Sequence, residues 1–83
     1  MNNNQEILNK LLPSIIEILG DRSDFSLDTS FASLNIDSMK YVELILASED
    51  VFGIEVIDSE LEISRYKIID DFISMIQTAM QRI

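Results

Sequence analysis

The sequence predicts an all-α fold of four helices, three long and one short, with a long loop between the first and the second. In three separate segments, apolar residues recur at three- and four-residue spacing, which places one apolar stripe along each long helix. The only segment that we assign as extended, residues 54–57, is too short to build a sheet of its own. We therefore expect a bundle of helices and no sheet.

The composition indicates one small domain, which we assign to residues 1–83. It is 47% apolar, with two glycines and one proline, as expected of a packed globule. Cysteine and histidine are both absent, which excludes disulfides, cysteine-based metal sites and every Ser-His or Cys-His pair. The acidic residues from Asp21 onward lack the glycine and the closing glutamate of a calcium loop. We expect no metal site and no catalytic activity of its own.

The formal charge of −9 argues against nucleic acid and against an anionic membrane surface as partners. It favours a partner protein with a basic patch. We expect neither a transmembrane helix nor a signal peptide, because no stretch is long and apolar enough for the first and no charged-then-apolar pattern indicates the second. We expect a monomer in the cytoplasm.

The first helix is predicted over residues 3–19. Its apolar stripe consists of Ile7, Leu8, Leu11, Leu12, Ile15, Ile16 and Leu19. Asn3 and Glu6 have the spacing of a capping box, and Gly20 is a typical C-terminal stop. Pro13 removes one internal hydrogen bond and crowds the carbonyl four residues earlier. We therefore expect a kink at Pro13, or a break into two shorter helices.

Residues 21–36 are predicted to form a long loop, in which polar residues alternate with Phe25, Leu27, Phe31 and Leu34. We expect these apolar side chains to attach the loop to the core. Loops of this length in a compact domain are usually functional or required by the topology.

The second helix, predicted from Ser38 to Phe52, has two apolar faces. One face should meet the core and consists of Tyr41, Leu44, Ile45, Ser48, Val51 and Phe52. Nearly opposite lie Met39, Val42 and Leu46, flanked by Glu43, Glu49 and Asp50. Two interpretations remain open: a neighbouring helix partly covers the second face, or it is a docking surface with an apolar centre and an acidic rim.

Gly53 is predicted to end the second helix, and residues 54–57 form the extended link. A short helical turn, capped by Asp58, should run to Ile63. The last helix is predicted from residue 66 or 67 to Met80. Its stripe consists of Ile68, Ile69, Phe72, Ile73, Ile76 and Met80.

Asp37 and Ser38 stand at the start of the second helix, and both are residue types that cap helices. A hydroxyl at this position lies beside the positive end of the helix dipole, where a phosphate is favoured. Taken alone, the pair is most simply an ordinary cap. The segment from Asp37 to Glu62, however, contains eight acidic residues and a single basic one, Lys40. Most of the net negative charge of the chain therefore lies in the predicted second helix and in the residues that follow it.

Three short motifs follow one another along the chain: Leu34-Asn35-Ile36-Asp37-Ser38-Met39, Val42-Glu43-Leu44 and Phe52-Gly53-Ile54-Glu55. Together they resemble those of the acyl carrier proteins, whose Asp-Ser-Leu signature has Asp-Ser-Met as a common variant. The resemblance extends over nearly the whole chain and implies a four-helix bundle of the acyl-carrier type.

The resemblance implies that a phosphopantetheinyl transferase attaches 4′-phosphopantetheine from coenzyme A to Ser38 through a phosphodiester. The thiol of this arm would carry acyl or aminoacyl groups as thioesters between loading and condensing enzymes. The transferase would bring the base and Mg²⁺, with Asp37 helping to position the metal. The partner-binding residues implied are Met39, Lys40, Val42, Glu43, Leu46, Glu49 and Asp50. Met39, Val42 and Leu46 would form the apolar centre of this face, and Glu43, Glu49 and Asp50 would meet lysine or arginine in basic patches on the enzymes.

Three departures from the family pattern bear on the pathway: Lys40 directly after the signature, Ile57 where many members have proline, and Pro13 within the first helix. The resemblance implies a role in fatty-acid-like, polyketide or nonribosomal-peptide biosynthesis. The departures favour a discrete carrier of a polyketide, nonribosomal-peptide or other specialised pathway over housekeeping fatty-acid synthesis. D-alanyl carriers, which share Asp-Ser-Met, remain open. The alternative from a different class is a small acidic helical adaptor that binds a basic partner without a prosthetic group, with Ser38 as an ordinary cap.

Overall fold

The computed structural model describes residues 4–20, 26–57 and 61–81. These residues form three α-helices and a 3-10 turn: α1 (Asn4–Leu19), α2 (Ser38–Phe52), the 3-10 turn (Ile63–Arg65) and α3 (Ile69–Gln81). Within the same ranges, β-pairing is limited to an isolated antiparallel bridge between Ser30 and Ile68. The predicted all-α fold and its order of long, long, short and long helices are confirmed.

The core lies where α1 packs against both α2 and α3. Each helix contributes its apolar stripe. The buried helix residues are Ile7, Leu8, Leu11 and Ile15 of α1; Tyr41, Leu44, Ile45 and Ser48 of α2; and Ile69, Phe72, Ile73, Met75, Ile76 and Ala79 of α3. The prediction that Val51 faces the core is wrong, because its side chain is 42% exposed. Met80, the last residue of the predicted stripe in α3, is 39% exposed.

One continuous helix spans Pro13, so the predicted alternative of a break there is wrong. Proline inside a helix costs about 3 kcal/mol, but Leu11 and Ile15 on either side of it are fully buried. Their packing holds both halves of α1 against the core and outweighs the local penalty. The predicted capping box includes Asn3, which lies outside the described residues.

The loop before α2 is attached to the start of α3 by backbone hydrogen bonds. The Phe31 amide donates to the Lys67 carbonyl at 2.9 Å, the Ile69 amide to the Thr29 carbonyl at 2.9 Å, and the Asp70 amide to the Leu27 carbonyl at 2.8 Å. The Phe31 side chain, with that of Leu34, is buried. The prediction that apolar residues attach this loop to the core is confirmed for its described part, whereas Phe25 lies outside it.

Helix α3 begins at Ile69, two to three residues later than predicted. The carboxylate of Asp71 accepts hydrogen bonds from the amides of Lys67 and Ile68, at 3.0 and 3.2 Å. Ile68 is held extended in its bridge to Ser30, so the chain cannot become helical before it.

The described short helix is the 3-10 turn at Ile63–Arg65. The predicted turn, from Asp58 to Ile63, falls largely on residues outside the described ranges, so its start stays a prediction. Asp58, the predicted cap, lies outside the described residues.

Four aromatic rings meet at the centre of the molecule, and we call Phe31, Tyr41, Tyr66 and Phe72 the aromatic cluster. All six pairs of ring centroids lie between 5.5 and 6.4 Å apart, the range of aromatic rings in contact. The rings come from the loop, α2, the residue after the 3-10 turn, and α3. The cluster therefore fixes the start of α2 relative to both the loop and α3.

Candidate functional site

Asp37 is the N-cap of α2. Its backbone is extended, with φ −95° and ψ −176°, and its side-chain Oδ1 accepts the Lys40 amide hydrogen at 2.9 Å. Its carbonyl accepts the Tyr41 amide hydrogen at 2.9 Å. Ser38 is thus the first residue inside the helix, and the cap that Ser38 could have supplied is supplied by its neighbour.

The Ser38 side chain is exposed at the N-terminal end of α2. No hydrogen bond joins its hydroxyl, or the amides of Ser38 and Met39, to another of the described residues. The first amides of a helix lack partners within the helix and carry its positive partial charge. Ser38 therefore presents a reachable hydroxyl where an anion would be stabilised.

A tight turn at residues 31–36 precedes this site. Leu34 and Ile36 both donate their amide hydrogens to the Phe31 carbonyl, at 3.1 and 3.2 Å. Asn35 lies between them with φ +57°, a left-handed conformation that asparagine adopts more readily than most residues. The Leu34 and Ile36 side chains are buried, so the point at which α2 begins is fixed from both sides of Asn35.

The interior beside the site is aromatic. Tyr41, one turn after Ser38, is fully buried, and its ring centroid lies 5.5 Å from that of Tyr66 and 5.7 Å from that of Phe72. We predicted that Tyr41 faces the core, but the spacing along α2 did not show that its neighbours are aromatic rings from distant parts of the chain.

The second apolar face of α2 is uncovered by the described residues. We call Met39, Val42 and Leu46 the apolar patch; they are 74%, 49% and 59% exposed. Glu43 and Asp50 are exposed on the same side of the helix. Of the two interpretations left open by the sequence, partial burial beneath a neighbouring helix is therefore wrong for the part of the chain described here.

Two other predicted partner-binding residues, Glu49 and Lys40, are half-buried. The Glu49 side-chain Oε2 accepts the Val56 amide hydrogen at 3.0 Å, and its carbonyl accepts the Gly53 amide hydrogen at 2.9 Å. Gly53 has φ +64°, the usual left-handed geometry after a helix. Glu49 thus holds the segment that follows α2. No feature of the sequence distinguished Glu49 from the other acidic residues of the helix.

The described residues were also searched for metal-binding groups and for membrane-spanning helices. They contain no group of three or more acidic, histidine or cysteine side chains placed to hold a metal ion. Among the same residues, no helix has the length and apolar character needed to cross a membrane.

Known proteins resemble the chain along most of its length. A family model described as the phosphopantetheine attachment site matches residues 9–76. An acyl carrier protein of Guillardia theta is 44% identical over 75 residues, which cover 87% of this chain and 93% of that protein. The chain belongs to the acyl carrier protein family. A second acyl carrier protein, from Thermobifida fusca, is 37% identical over 75 residues, covering 88% of this chain and 92% of its own.

A solved structure agrees with this fold. The crystal structure of an acyl carrier protein from Thermotoga maritima superposes with a TM-score of 0.71, covering 92% of this chain and 93% of its own at 22% identity. Acyl carrier proteins are carriers and not catalysts, and their prosthetic group is 4′-phosphopantetheine. The predicted family, cofactor and lack of catalytic activity are confirmed.

Proposed function

We propose that Ser38 carries the 4′-phosphopantetheine arm, and that this carrier presents acyl or aminoacyl thioesters on it to partner enzymes. The observation that supports this most directly is that the helix cap and the exposed hydroxyl at the start of α2 belong to two different residues. Asp37 caps the helix through the Lys40 amide, while the exposed Ser38 hydroxyl makes no bond to the described residues. The hydroxyl is therefore accessible to an enzyme and can be modified without loss of the cap.

The residues around Ser38 suit a phosphodiester. The amides of Ser38 and Met39 point out of the first turn of α2, where the helix dipole favours an anion. The Asp37 carboxylate is also negative, but one of its oxygens already accepts the Lys40 amide hydrogen at 2.9 Å. The site is open to water, which screens the remaining repulsion.

The chain supplies the nucleophile and not the base. Attack of the Ser38 oxygen on a phosphate of coenzyme A releases the adenosine bisphosphate half, and the serine proton must pass to a base. The sequence has no histidine, and no described side chain accepts a hydrogen bond from Ser38. The transferase therefore brings the base and Mg²⁺, and the carboxylate of Asp37, the residue that precedes Ser38, would help to hold the metal.

The exposed face of α2 is the proposed docking surface for the transferase and for the enzymes that load and use the cargo. The apolar patch supplies its centre, and Glu43 and Asp50 supply carboxylates for lysine or arginine on the partner. Such charges chiefly raise the encounter rate and select the partner. Lys40 makes the surface less negative near Ser38, and Glu49 contributes less because Val56 already engages its carboxylate.

The pathway we propose is a specialised one that uses a discrete carrier: polyketide, nonribosomal-peptide, D-alanyl or fatty-acid-like synthesis. Lys40, Ile57 and Pro13 support it, because each departs from the usual pattern of carriers in housekeeping fatty-acid synthesis.

Intact mass spectrometry tests the assignment of Ser38. The unmodified protein is incubated with coenzyme A, Mg²⁺ and a broad-specificity phosphopantetheinyl transferase, beside its Ser38→Ala variant. We expect the wild type to gain one phosphopantetheine, mapped to Ser38, and the variant to gain none while remaining folded. No gain on a folded, initially unmodified wild type would favour the adaptor, and a gain on another residue would refute Ser38.

A further inference from the structure

Met39 is the most exposed of the large apolar side chains in the described residues, at 74%. It follows Ser38 directly and lies in the first turn of α2. Along the helix axis, Met39, Val42 and Leu46 stand about 1.5, 6 and 12 Å from Ser38. Met39 is therefore the residue of the apolar patch nearest to the serine, and it belongs to the surface that an enzyme acting on the Ser38 oxygen must cover.

The thioether of methionine is an apolar group that mild oxidants convert into a polar one. Its sulfur takes one oxygen atom from hydrogen peroxide: a sulfur–oxygen bond forms, the oxygen–oxygen bond breaks, and the proton of the transferred hydroxyl passes to the released hydroxide to give water. The product, methionine sulfoxide, disrupts apolar interfaces, and reductases return it to methionine. The sequence contains no cysteine, so no thiol of the chain competes for the oxidant.

The other described methionines are less exposed and lie elsewhere. Met75 is 7% exposed and belongs to the core. Met80 is 39% exposed, but it lines a cavity together with Phe52, which is at the opposite end of α2, about 21 Å along the helix axis from Ser38. Met39 is thus the described methionine that is both open to an oxidant and part of the apolar patch.

We propose that Met39 is a site of reversible oxidation by hydroperoxides, and that its sulfoxide weakens the docking of partner enzymes on α2. This inference rests on the proposed function of Ser38 and of the exposed face of α2. A sulfoxide oxygen at Met39 accepts hydrogen bonds from water while the face is free, and it loses them when an apolar partner surface covers it. Burying a polar group without a new partner is costly, so oxidation disfavours the docked complex while the free carrier stays folded.

Peptide mapping by mass spectrometry tests the site. The folded protein, without an arm on Ser38, is treated with hydrogen peroxide and sampled over time. We expect Met39 to oxidise first, Met80 more slowly and Met75 last, in the order of their exposed fractions. Oxidation of Met75 or Met80 ahead of Met39 would refute the assignment of the site.

Transferase kinetics test the effect on docking. Peroxide treatment is stopped before Met75 reacts, and the carrier is then modified by the broad-specificity phosphopantetheinyl transferase with coenzyme A. We expect oxidation to raise the KM for the wild-type carrier about tenfold, as for a polar group buried without a partner, and to leave kcat and the melting temperature unchanged. Methionine sulfoxide reductases for both epimers should restore the KM. An unchanged KM in a protein whose Met39 is fully oxidised would overturn the proposal.

Two variants separate Met39 from the other methionines, with each protein compared with its own untreated form. Met39→Leu keeps an apolar side chain that the oxidant does not attack, so we expect peroxide to leave its KM unchanged. A rise equal to that of the wild type would place the effect at another residue and refute the proposal. Met39→Gln introduces a polar group without an oxidant and should have a higher KM than untreated Met39→Leu. Equal KM values for these two variants would contradict the cost of a polar group at this position.

Failure of this proposal is distinguishable from failure of the attachment at Ser38. Attachment is read first, from the mass that the untreated protein gains with coenzyme A. If Ser38 gains nothing, the proposed function fails and the docking effect fails with it, whereas the order of methionine oxidation is still decided by peptide mapping. If Ser38 gains the arm with the same KM before and after oxidation of Met39, only this inference is refuted.

Discussion

At the start of α2, the Asp37 carboxylate accepts the Lys40 amide hydrogen at 2.9 Å, and the neighbouring Ser38 hydroxyl makes no bond to the described residues. Both residue types cap helices equally well, so the sequence could place the site here but could not assign the two roles. The conformation of Asp37, extended immediately before the first helical residue, makes that assignment. The modification chemistry of Ser38 and the stability contributed by Asp37 can therefore be tested separately.

Asp37→Ala should lower the free energy of unfolding by about 1 kcal/mol, because the Lys40 amide loses its cap. Asp37→Asn is the matched control, since the asparagine oxygen can still accept that hydrogen bond. If the charge also positions the metal of the transferase, both variants should be modified more slowly than wild type. Urea unfolding and initial rates of mass gain measure the two effects; equal destabilisation by both variants would contradict the capping role.

Glu49 and Glu43 lie on the same helix and should respond differently to truncation. Glu49→Ala removes the acceptor of the Val56 amide and should cost about 1 to 2 kcal/mol of stability, as expected for a partly exposed hydrogen bond to a charged group. Glu43 is exposed, so Glu43→Ala should change stability by less than about 0.5 kcal/mol. Denaturant titrations of the pair decide this, and equal stabilities would show that the Glu49–Val56 bond contributes nothing.

At the scale of elements, residues adjacent to α2 in the sequence mark both of its ends, whereas no neighbouring residue marks the start of α3. Asp37 before α2 and Gly53 after it, with φ +64°, mark the boundaries that the sequence predicted. The start of α3 depends on Asp71 reaching back to the Lys67 amide and on a bridge to the distant Ser30. Such contacts between distant segments cannot be read from the spacing of apolar residues.

The exposed apolar residues of α2 should differ in their importance for docking. Leu46 belongs to the apolar patch, whereas Val51 is exposed on another side of the helix. Leu46→Ala should raise the KM of the transferase for the carrier about fivefold, corresponding to a contact worth about 1 kcal/mol. Val51→Ala is the control and should leave KM unchanged, with both variants as stable as wild type. Equal effects of the two substitutions would mean that docking does not use the patch.

At the scale of the whole molecule, fifteen acids oppose six bases. The excess negative charge repels itself in the compact state, and salt screens that repulsion. We expect the melting temperature to rise with added NaCl and with millimolar Mg²⁺. The double substitution Glu43→Gln and Asp50→Asn, at two exposed acids, should raise the low-salt melting temperature and reduce its salt dependence. A wild-type melting temperature indifferent to both salts would contradict this repulsion.

The hydrogen bonds between the loop and the start of α3 also bear on the order in which the chain folds. Thr29 and Ile69 pair across forty residues, so this contact forms only after a large segment has closed, at an entropic cost that grows with its length. Helices form from local contacts and precede such pairings. A nascent chain that has not yet made α3 therefore contains Ser38 before the loop leading into it can be fixed by these hydrogen bonds. Recognition of the site by its shape would then report that the whole domain has been synthesised and folded.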